Sequence, residues 1–174
     1  PLQTIRLQLD AIARGGSILK SMKQITENLN RLESVVEKVQ RMGQRYVLHR
    51  ERINLQELVE ETIAALSFWL SASGINYRVQ SHWEGLPLIE GDRELLQQVL
   101  LNLMMNSVQA MPDGGVLSID ISETTDHACI EVRDTGCGIS SDVLKVVGTP
   151  FFTTKADGHG LGIAFCKTIA ALHG

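Results

Sequence analysis

The stretch from Leu95 to Met111, LLQQVLLNLMMNSVQAM, constrains the fold more than any other part of this 174-residue chain. Its apolar side chains recur so densely that they cover most of a helical circumference. Asn102, Asn106 and Gln109 instead stand at the i, i+4, i+7 spacing of one helix face. Because a surface helix normally carries a broad charged face, this narrow neutral stripe predicts a buried helix whose amides line a polar cavity.

The amide stripe admits two interpretations. An amide oxygen is a hard, neutral ligand that suits Mg2+, and Mg2+ binds proteins through few side chains together with phosphate oxygens. On that interpretation Asn106 is a magnesium ligand, with Asn102 and Gln109 beside it. On the other interpretation, the three amides cap the backbone of neighbouring elements in an ordinary core. The helix alone does not separate the two.

Composition limits the class of protein. Hydrophobic residues make up 44% of the chain and charged residues 21%, as in soluble globular proteins. A net charge of −4 argues against nucleic-acid binding through a broad basic surface. No apolar run approaches the roughly 20 residues of a membrane span, so any membrane attachment is expected through segments outside this chain. Scattered cysteines without a C-x-x-C pair predict a cytoplasmic compartment, and the histidines lack the spacing of a zinc site.

Two amphipathic helices are predicted at the beginning of the chain. Apolar residues recur at helical spacing from Pro1 to about Ala13 and at nearly heptad spacing from about Ile18 to Met42, with Gly15-Gly16 between the two segments. This break predicts an antiparallel helical hairpin over residues 1–45. Because two helices bury little surface, we expect the hairpin to dimerise into a four-helix bundle; packing on its own domain is the alternative.

An α/β two-layer sandwich, a mixed sheet packed on helices, is predicted for residues 46–174. Asn54 and Glu57 form a capping box for a helix that ends near Ser71, and Asp92 is expected to cap the central helix. The other predicted elements are a linker from Tyr46 to Asn54 with room for a strand, a strand from Ile75 to Trp83, a loop from Gly85 to Gly91, a hairpin of Val116–Ser122 and Ala128–Arg133, a helical turn from Asp142 to Val147, a loop from Gly148 to Gly162, and a last helix from Ile163 to Leu172.

Two glycine-rich stretches follow the central helix. They read Asp134-Thr-Gly136-Cys-Gly138-Ile139 and Gly158-His-Gly160-Leu-Gly162-Ile163, and Pro150-Phe-Phe-Thr-Thr-Lys155 lies between them. Together with the amide stripe, in this order and at this spacing, they resemble the N, G1, F and G2 boxes of the sensor histidine kinases. Those kinases belong to a wider ATPase superfamily that includes gyrase B and the mismatch-repair ATPases. The resemblance extends from about Asp92 to Gly174.

The resemblance implies a binding site for ATP and Mg2+. Asp134 would accept a hydrogen bond from the exocyclic amine of adenine, and Gly136 and Gly138 would let the backbone approach the base without a Cβ. A plain turn after a strand is the alternative for this loop. The implied nucleotide contacts are Asn102, Asn106, Gln109, Asp134, Gly136, Gly138, Ile139, Phe151, Phe152, Thr153, Thr154, Lys155, Gly158, His159, Gly160, Leu161 and Gly162, with Asn106 as both the catalytic residue and the Mg2+ ligand.

The loop from Gly148 to Gly162 has little apolar periodicity and is long enough to be a mobile lid. Phe151 and Phe152 are expected to anchor its hinge on the core. Thr153, Thr154 and Lys155 are expected to reach the phosphates, and a solvated surface position is the alternative for the lysine.

The glycines before the last helix favour an anion site, because bare backbone N–H groups and the helix dipole both attract negative charge. A P-loop is excluded, since Cys166 rather than glycine precedes Lys167-Thr168. His159 stands where the resembled family usually has threonine or serine, and Gln109 stands where some relatives carry lysine or histidine. These two departures leave the detailed contacts of both residues open.

By this resemblance, the chain would be the core of a sensor histidine kinase. It would transfer the γ-phosphoryl group of ATP to a histidine, and from there to an aspartate on a response-regulator receiver domain. Pro1-Leu2 resembles the end of the phosphoacceptor motif, so that histidine is expected five residues before Pro1, and two further strands are expected after Gly174. The alternatives are a non-catalytic nucleotide-sensing dimerisation module and a gyrase-type ATPase.

Overall fold

The computed structural model describes residues 47–155 and 158–174. The predicted hairpin over residues 1–45 lies outside the described residues. No helix in the described part is long and apolar enough to cross a membrane. The elements in chain order are β1 (Glu51–Asn54), α1 (Leu55–Ala72), β2 (Ile75–Ser81), β3 (Leu88–Gly91), α2 (Arg93–Ala110), β4 (Gly115–Glu123), β5 (Ala128–Asp134), α3 (Ser141–Leu144) and α4 (Gly162–His173).

A three-stranded mixed sheet has the strand order β2-β4-β5, with β2 parallel and β5 antiparallel to the central strand β4. Along β4 the side chains alternate: Leu117, Ile119 and Ile121 are fully buried, whereas Val116 is 37% exposed. The buried row packs in one core with residues of α1 and α2. The predicted mixed sheet packed on helices is therefore confirmed, and so is the β-hairpin that β4 and β5 form within it.

A second, two-stranded sheet corrects the prediction for residues 85–91. The loop predicted there is wrong over its last four residues, because Leu88–Gly91 forms β3 and pairs antiparallel with β1. Ile53 of β1 is fully buried and lies opposite Ile89. A strand this short shows no period of its own, and its ladder partner lies far away in the sequence.

Helix α1 begins at the predicted capping box. The side-chain oxygen of Asn54 accepts hydrogen bonds from the backbone N–H groups of Gln56 at 3.0 Å and Glu57 at 3.4 Å. The Asn54 amide also donates to the Glu57 carboxylate at 3.1 Å. These bonds satisfy donors that lack a partner inside the helix. Gly74, with a φ of +64°, follows the end of the helix.

Asp92 caps α2 as predicted, and it also joins the first described residues to the end of the chain. One carboxylate oxygen accepts from the Leu95 N–H at 3.1 Å and the other from the His49 N–H at 3.0 Å. The Asp92 N–H donates to His173 Nε2 at 2.9 Å. His173 Nδ1 lies 2.8 Å from the Ile169 carbonyl oxygen, so the ring is a neutral imidazole that donates from Nδ1 and accepts at Nε2.

Helix α2 packs against α1 on one side and α4 on another. Only Leu100, Met104, Ser107 and Val108 are buried within it. The prediction of a buried helix is therefore correct for the residues that face the core and too broad for the other residues of the helix. The remaining apolar residues are half-buried, and Leu96, Leu101 and Met105 among them pack against the same core.

The Asp92 cap yields a stability prediction. Asp92→Ala removes two acceptors from a carboxylate that is only 6% exposed, so we expect urea denaturation to show a loss of about 2 kcal/mol or more. Asp92→Asn retains one acceptor oxygen and should lose about 1 kcal/mol. The matched control is Asn54→Ala at the solvent-exposed cap of α1, which should also cost about 1 kcal/mol. Equal losses for Asp92→Ala and Asn54→Ala would contradict the joining role of Asp92.

Candidate functional site

The amide stripe of α2 faces the loop between α3 and α4. The ammonium of Lys155 donates to Asn106 Oδ1 at 2.9 Å and to Gln109 Oε1 at 2.5 Å. Asn102 lies one turn earlier, and its side-chain oxygen is 3.8 Å from the place where a Cβ on Gly162 would stand. Asn106 and Gln109 thus bind a cationic side chain, and no backbone cap is recorded for either among the described residues.

The ammonium of Lys155 is partly removed from water although the residue as a whole is exposed. This burial lowers the pKa of Lys155, and the nearby Cys137 thiol acts in the opposite direction. The two amide oxygens are thus placed where they can accept a cation. Within residues 47–155 and 158–174, no cluster of three or more histidine, cysteine, aspartate or glutamate side chains could hold a metal ion. Hard oxygen donors that already hold a cation fit Mg2+.

The loop after β5 lies against the C-terminal end of α2. A Cβ on Gly136 would stand 2.6 Å from the carbonyl oxygen of Ala110, so only glycine fits there. The Cys137 N–H donates to the same carbonyl at 3.1 Å, which satisfies an acceptor that the helix end leaves open. Asp134 Oδ1 accepts from the Gly136 N–H at 2.9 Å. The carboxylate is therefore held at the start of the loop, next to the helix that carries the amides.

Thr135 positions this loop, and the sequence analysis missed it. Its hydroxyl accepts from the Val116 N–H at 3.0 Å and lies 3.7 Å from Met111 Sδ, toward which it donates. The hydroxyl thereby joins the start of β4, the end of α2 and the loop. Farther along the loop, Gly138 has a φ of +71° and Ile139 is 57% exposed. A threonine between two motif residues gives no signal in a single sequence.

The base of the lid is a close backbone contact between the two remaining motifs. The Phe151 N–H donates to the Gly160 carbonyl at 3.0 Å. A Cβ on Gly160, whose φ is +66°, would overlap the carbonyl carbon of Phe151. Glycine at residue 160 is thus required both by the backbone conformation and by the lack of space.

The predicted anchoring role of Phe151 is wrong. Its side chain is 64% exposed and its φ is 69°, a left-handed conformation that non-glycine residues seldom adopt. The ring therefore faces solvent, and the backbone bond to Gly160 holds this part of the lid. Phe152 is half-buried, and its N–H donates to the Thr149 carbonyl at 3.1 Å.

The tip of the lid is built around Lys155. Thr153 Oγ1 accepts from the Lys155 N–H at 3.1 Å, and the Lys155 carbonyl accepts from the Gly158 N–H at 3.1 Å. Thr154 is exposed and His159 is half-buried. Leu161 is 2% exposed and precedes α4, whose first turn has no side-chain cap. The N-cap residue Leu161 thus offers no side-chain acceptor to the start of this helix.

Two residues of α4 contact the α2 amides and the start of the lid. The Cys166 thiol is buried, and burial raises its pKa to about 11, while a hydrogen bond with Asn102 acts in the opposite direction. Lys167 donates to the Val147 carbonyl at 2.9 Å, so it holds the start of the lid. Neither role is visible in the sequence, where Cys166 and Lys167 serve only to exclude a P-loop.

Comparison with known proteins finds a family model that is similar to part of the chain. Residues 91–174 match the family model described as histidine kinase-, DNA gyrase B-, and HSP90-like ATPase. The chain is 34% identical to the sensor histidine kinase ZraS of Escherichia coli (strain K12) over 92% of this chain and 34% of that protein. It is 38% identical to sporulation kinase A of Bacillus subtilis (strain 168) over 71% of this chain and 20% of that protein. The chain thus spans about a third or less of these relatives.

Solved structures show the same fold. The catalytic domain of histidine kinase ThkA matches with a TM-score of 0.66 and 26% identity, over 72% of this chain and 82% of that domain. A structure of ThkA in complex with the response regulator protein TrrA matches with a TM-score of 0.77 and 25% identity, over 98% of this chain and 51% of that one.

The contact between Phe151 and Gly160 yields a prediction about local opening. Gly160→Ala should raise the hydrogen-exchange rate of the Phe151 amide by about tenfold or more, because the methyl group overlaps the backbone that this bond joins. Gly138→Ala is the matched control. It has a similar left-handed φ, but nothing lies within 4 Å of its Cβ position. The effect of Gly138→Ala should remain at the loop after β5. Equal acceleration of hydrogen exchange at the Phe151 amide in both variants would contradict the role of Gly160 in this contact.

Proposed function

We propose that this chain, whose residues 91–174 belong to the family of histidine kinase-, DNA gyrase B- and HSP90-like ATPases, is the ATP-binding core of a sensor histidine kinase. The observation that carries this proposal is the cation held on Asn106 and Gln109 between α2 and the lid. It shows that the side-chain oxygens of the amide stripe face the lid and accept a positive charge.

ATP would bind between α2, the loop after β5 and the lid. Asp134 would accept from the exocyclic amine of adenine, since one of its oxygens is fixed by Gly136 while the residue itself is exposed. Gly136, Gly138 and Ile139 would form the wall beside the base. The first turn of α4, whose N-cap residue Leu161 has no capping side chain, would offer N–H groups to the phosphates.

Asn106 would hold Mg2+ through Oδ1, with Asn102 and Gln109 beside it. When bound, the ion supplies charge neutralisation for the phosphates. The chain's own contribution is to orient the amide oxygen, to exclude water under the lid and to keep the nucleotide in place. Thr153, Thr154, Lys155, Gly158, His159 and Gly160 would close over the phosphates as the lid orders.

The γ-phosphoryl group would pass to a histidine and then to an aspartate of a response-regulator receiver domain. The likeness to ThkA, which has been solved with its response regulator TrrA, supports this direction. The proposed homodimer would form through residues 1–45, and a cytoplasmic location fits the same role. Both named relatives match most of this chain and are named as kinases, ZraS as a sensor histidine kinase, which favours this function over a gyrase-type ATPase or a non-catalytic nucleotide-sensing module.

Substitution of Asn106 tests the magnesium role. Asn106→Ala removes the proposed ligand, and calorimetry should show Mg-dependent ATP affinity lower by roughly 10–100-fold, because even an outer residue of a metal site has effects of that size. Asn106→Asp retains an oxygen ligand and adds charge, so binding should persist with an altered Mg2+ dependence. Asn76→Ala on the exposed part of β2 is the control. Unchanged Mg-dependent binding in both Asn106 variants would refute the assignment.

Substitution of Asp134 tests the recognition of adenine. Asp134→Asn preserves an oxygen for the Gly136 N–H but replaces an ionised acceptor, so ATP binding should weaken by about 1.5–3 kcal/mol. Asp126→Asn, in the exposed turn between β4 and β5, should leave the affinity unchanged. Equal affinities of the unmutated protein for ATP and GTP would exclude this role.

A further inference from the structure

The ammonium of Lys155 occupies the position at which Asn106 is proposed to bind Mg2+. Its distance to Asn106 Oδ1 is 2.9 Å, and a second bond of 2.5 Å to Gln109 Oε1 completes a two-oxygen cradle. No ion pair with a carboxylate accompanies these bonds within residues 47–155 and 158–174. Among the residues that the structure describes, the groups that hold the lysine are therefore neutral amide oxygens and not carboxylates.

The same lysine is the centre of the lid tip. Its backbone N–H and carbonyl are bonded to Thr153 and Gly158, and the lid base is closed by the bond between Phe151 and Gly160. The contacts of the Lys155 side chain therefore restrain Thr153 and Gly158 as well, because both are hydrogen-bonded to the Lys155 backbone. The contact with α2 fastens the tip of the lid to the helix that carries the metal ligand.

We propose that Lys155 is an internal competitor of Mg2+ for Asn106, so that metal binding and release of the lid tip are one event. The inference rests on the proposed role of Asn106 and adds a regulatory contact to that site. A divalent cation and an ammonium cannot share one amide oxygen, because like charges at contact distance repel each other strongly in a partly desolvated site. Mg2+ therefore displaces the lysine, and the freed ammonium becomes available to phosphate oxygens.

The first test measures the fastening itself, in the absence of nucleotide. Lys155→Met retains the unbranched chain and removes the charge, so hydrogen exchange over residues 151–162 should accelerate by at least about threefold. Gln109→Leu removes one acceptor while it leaves Asn106 in place, and it should accelerate exchange in the same segment. Lys145→Met is the matched control, because Lys145 pairs with Asp142 on the exposed helix α3. Unchanged hydrogen exchange in both Lys155→Met and Gln109→Leu would overturn the proposal.

The second test measures the competition. At fixed concentration of a non-hydrolysable ATP analogue, the Mg2+ concentration at half-saturation should fall about two- to fivefold in Lys155→Met, the size of a partly exposed charge interaction. Lys145→Met should match the unmutated protein. A lysine that acts only on the phosphates would instead weaken nucleotide affinity without lowering the Mg2+ midpoint, and this result would overturn the proposal.

The two experiments separate this inference from the proposed function. If the unmutated protein shows no Mg-dependent binding of the analogue, the proposed function fails and the competition fails with it. If the unmutated protein binds the Mg-analogue complex, but Lys155→Met shows neither faster exchange nor a lower Mg2+ midpoint, the proposed function stands and only the competition is refuted.

Discussion

The site depends on a packing constraint on one helix. Helix α2 must bury Leu100, Met104 and Val108 against the sheet, and it must also accept α4 on another side. Two apolar contacts leave only a narrow part of the circumference for polar groups. Neutral amides suit Asn102 and Asn106, which are half-buried, because a charged side chain beside the core would need a partner to offset its desolvation; Gln109 is exposed. The neutral side chains at residues 102 and 106 thus follow from how the helix is packed.

Local patterns predicted most of the fold. The capping residues Asn54 and Asp92 and the alternation along β4 predicted elements whose ends differ from the structure by one or two residues. Such signals depend on neighbours in sequence and are visible in one chain. The strand Leu88–Gly91 escaped prediction because it is defined by its pairing with β1, and long-range pairing leaves little trace in four residues. The bond from Asp92 to His173 escaped for the same reason.

The motif residues around the site were recognised, but the contacts between them were not. The sequence predicted that Asn106 and Lys155 belong to one site and assigned them to separate tasks, whereas the structure places the ammonium on the amide. Thr135 and Lys167 position the loops through a few side-chain hydrogen bonds, which have no sequence period. Phe151 is exposed and has a left-handed backbone, and its apolar side chain predicts neither property.

The contact of the Lys155 ammonium with α2 explains how the tip of a glycine-rich lid is ordered without a large apolar surface. Leu161 at the end of the lid is buried, but Phe151 and Ile139 are exposed, so burial of apolar area contributes little at the outer edge of the site. Order comes instead from backbone bonds at Gly160 and from one cation on α2. Interactions of this kind are few and individually modest, so a ligand that competes for one of them shifts the lid substantially. A lid fastened by charge rather than by burial responds to the charge of what enters the site.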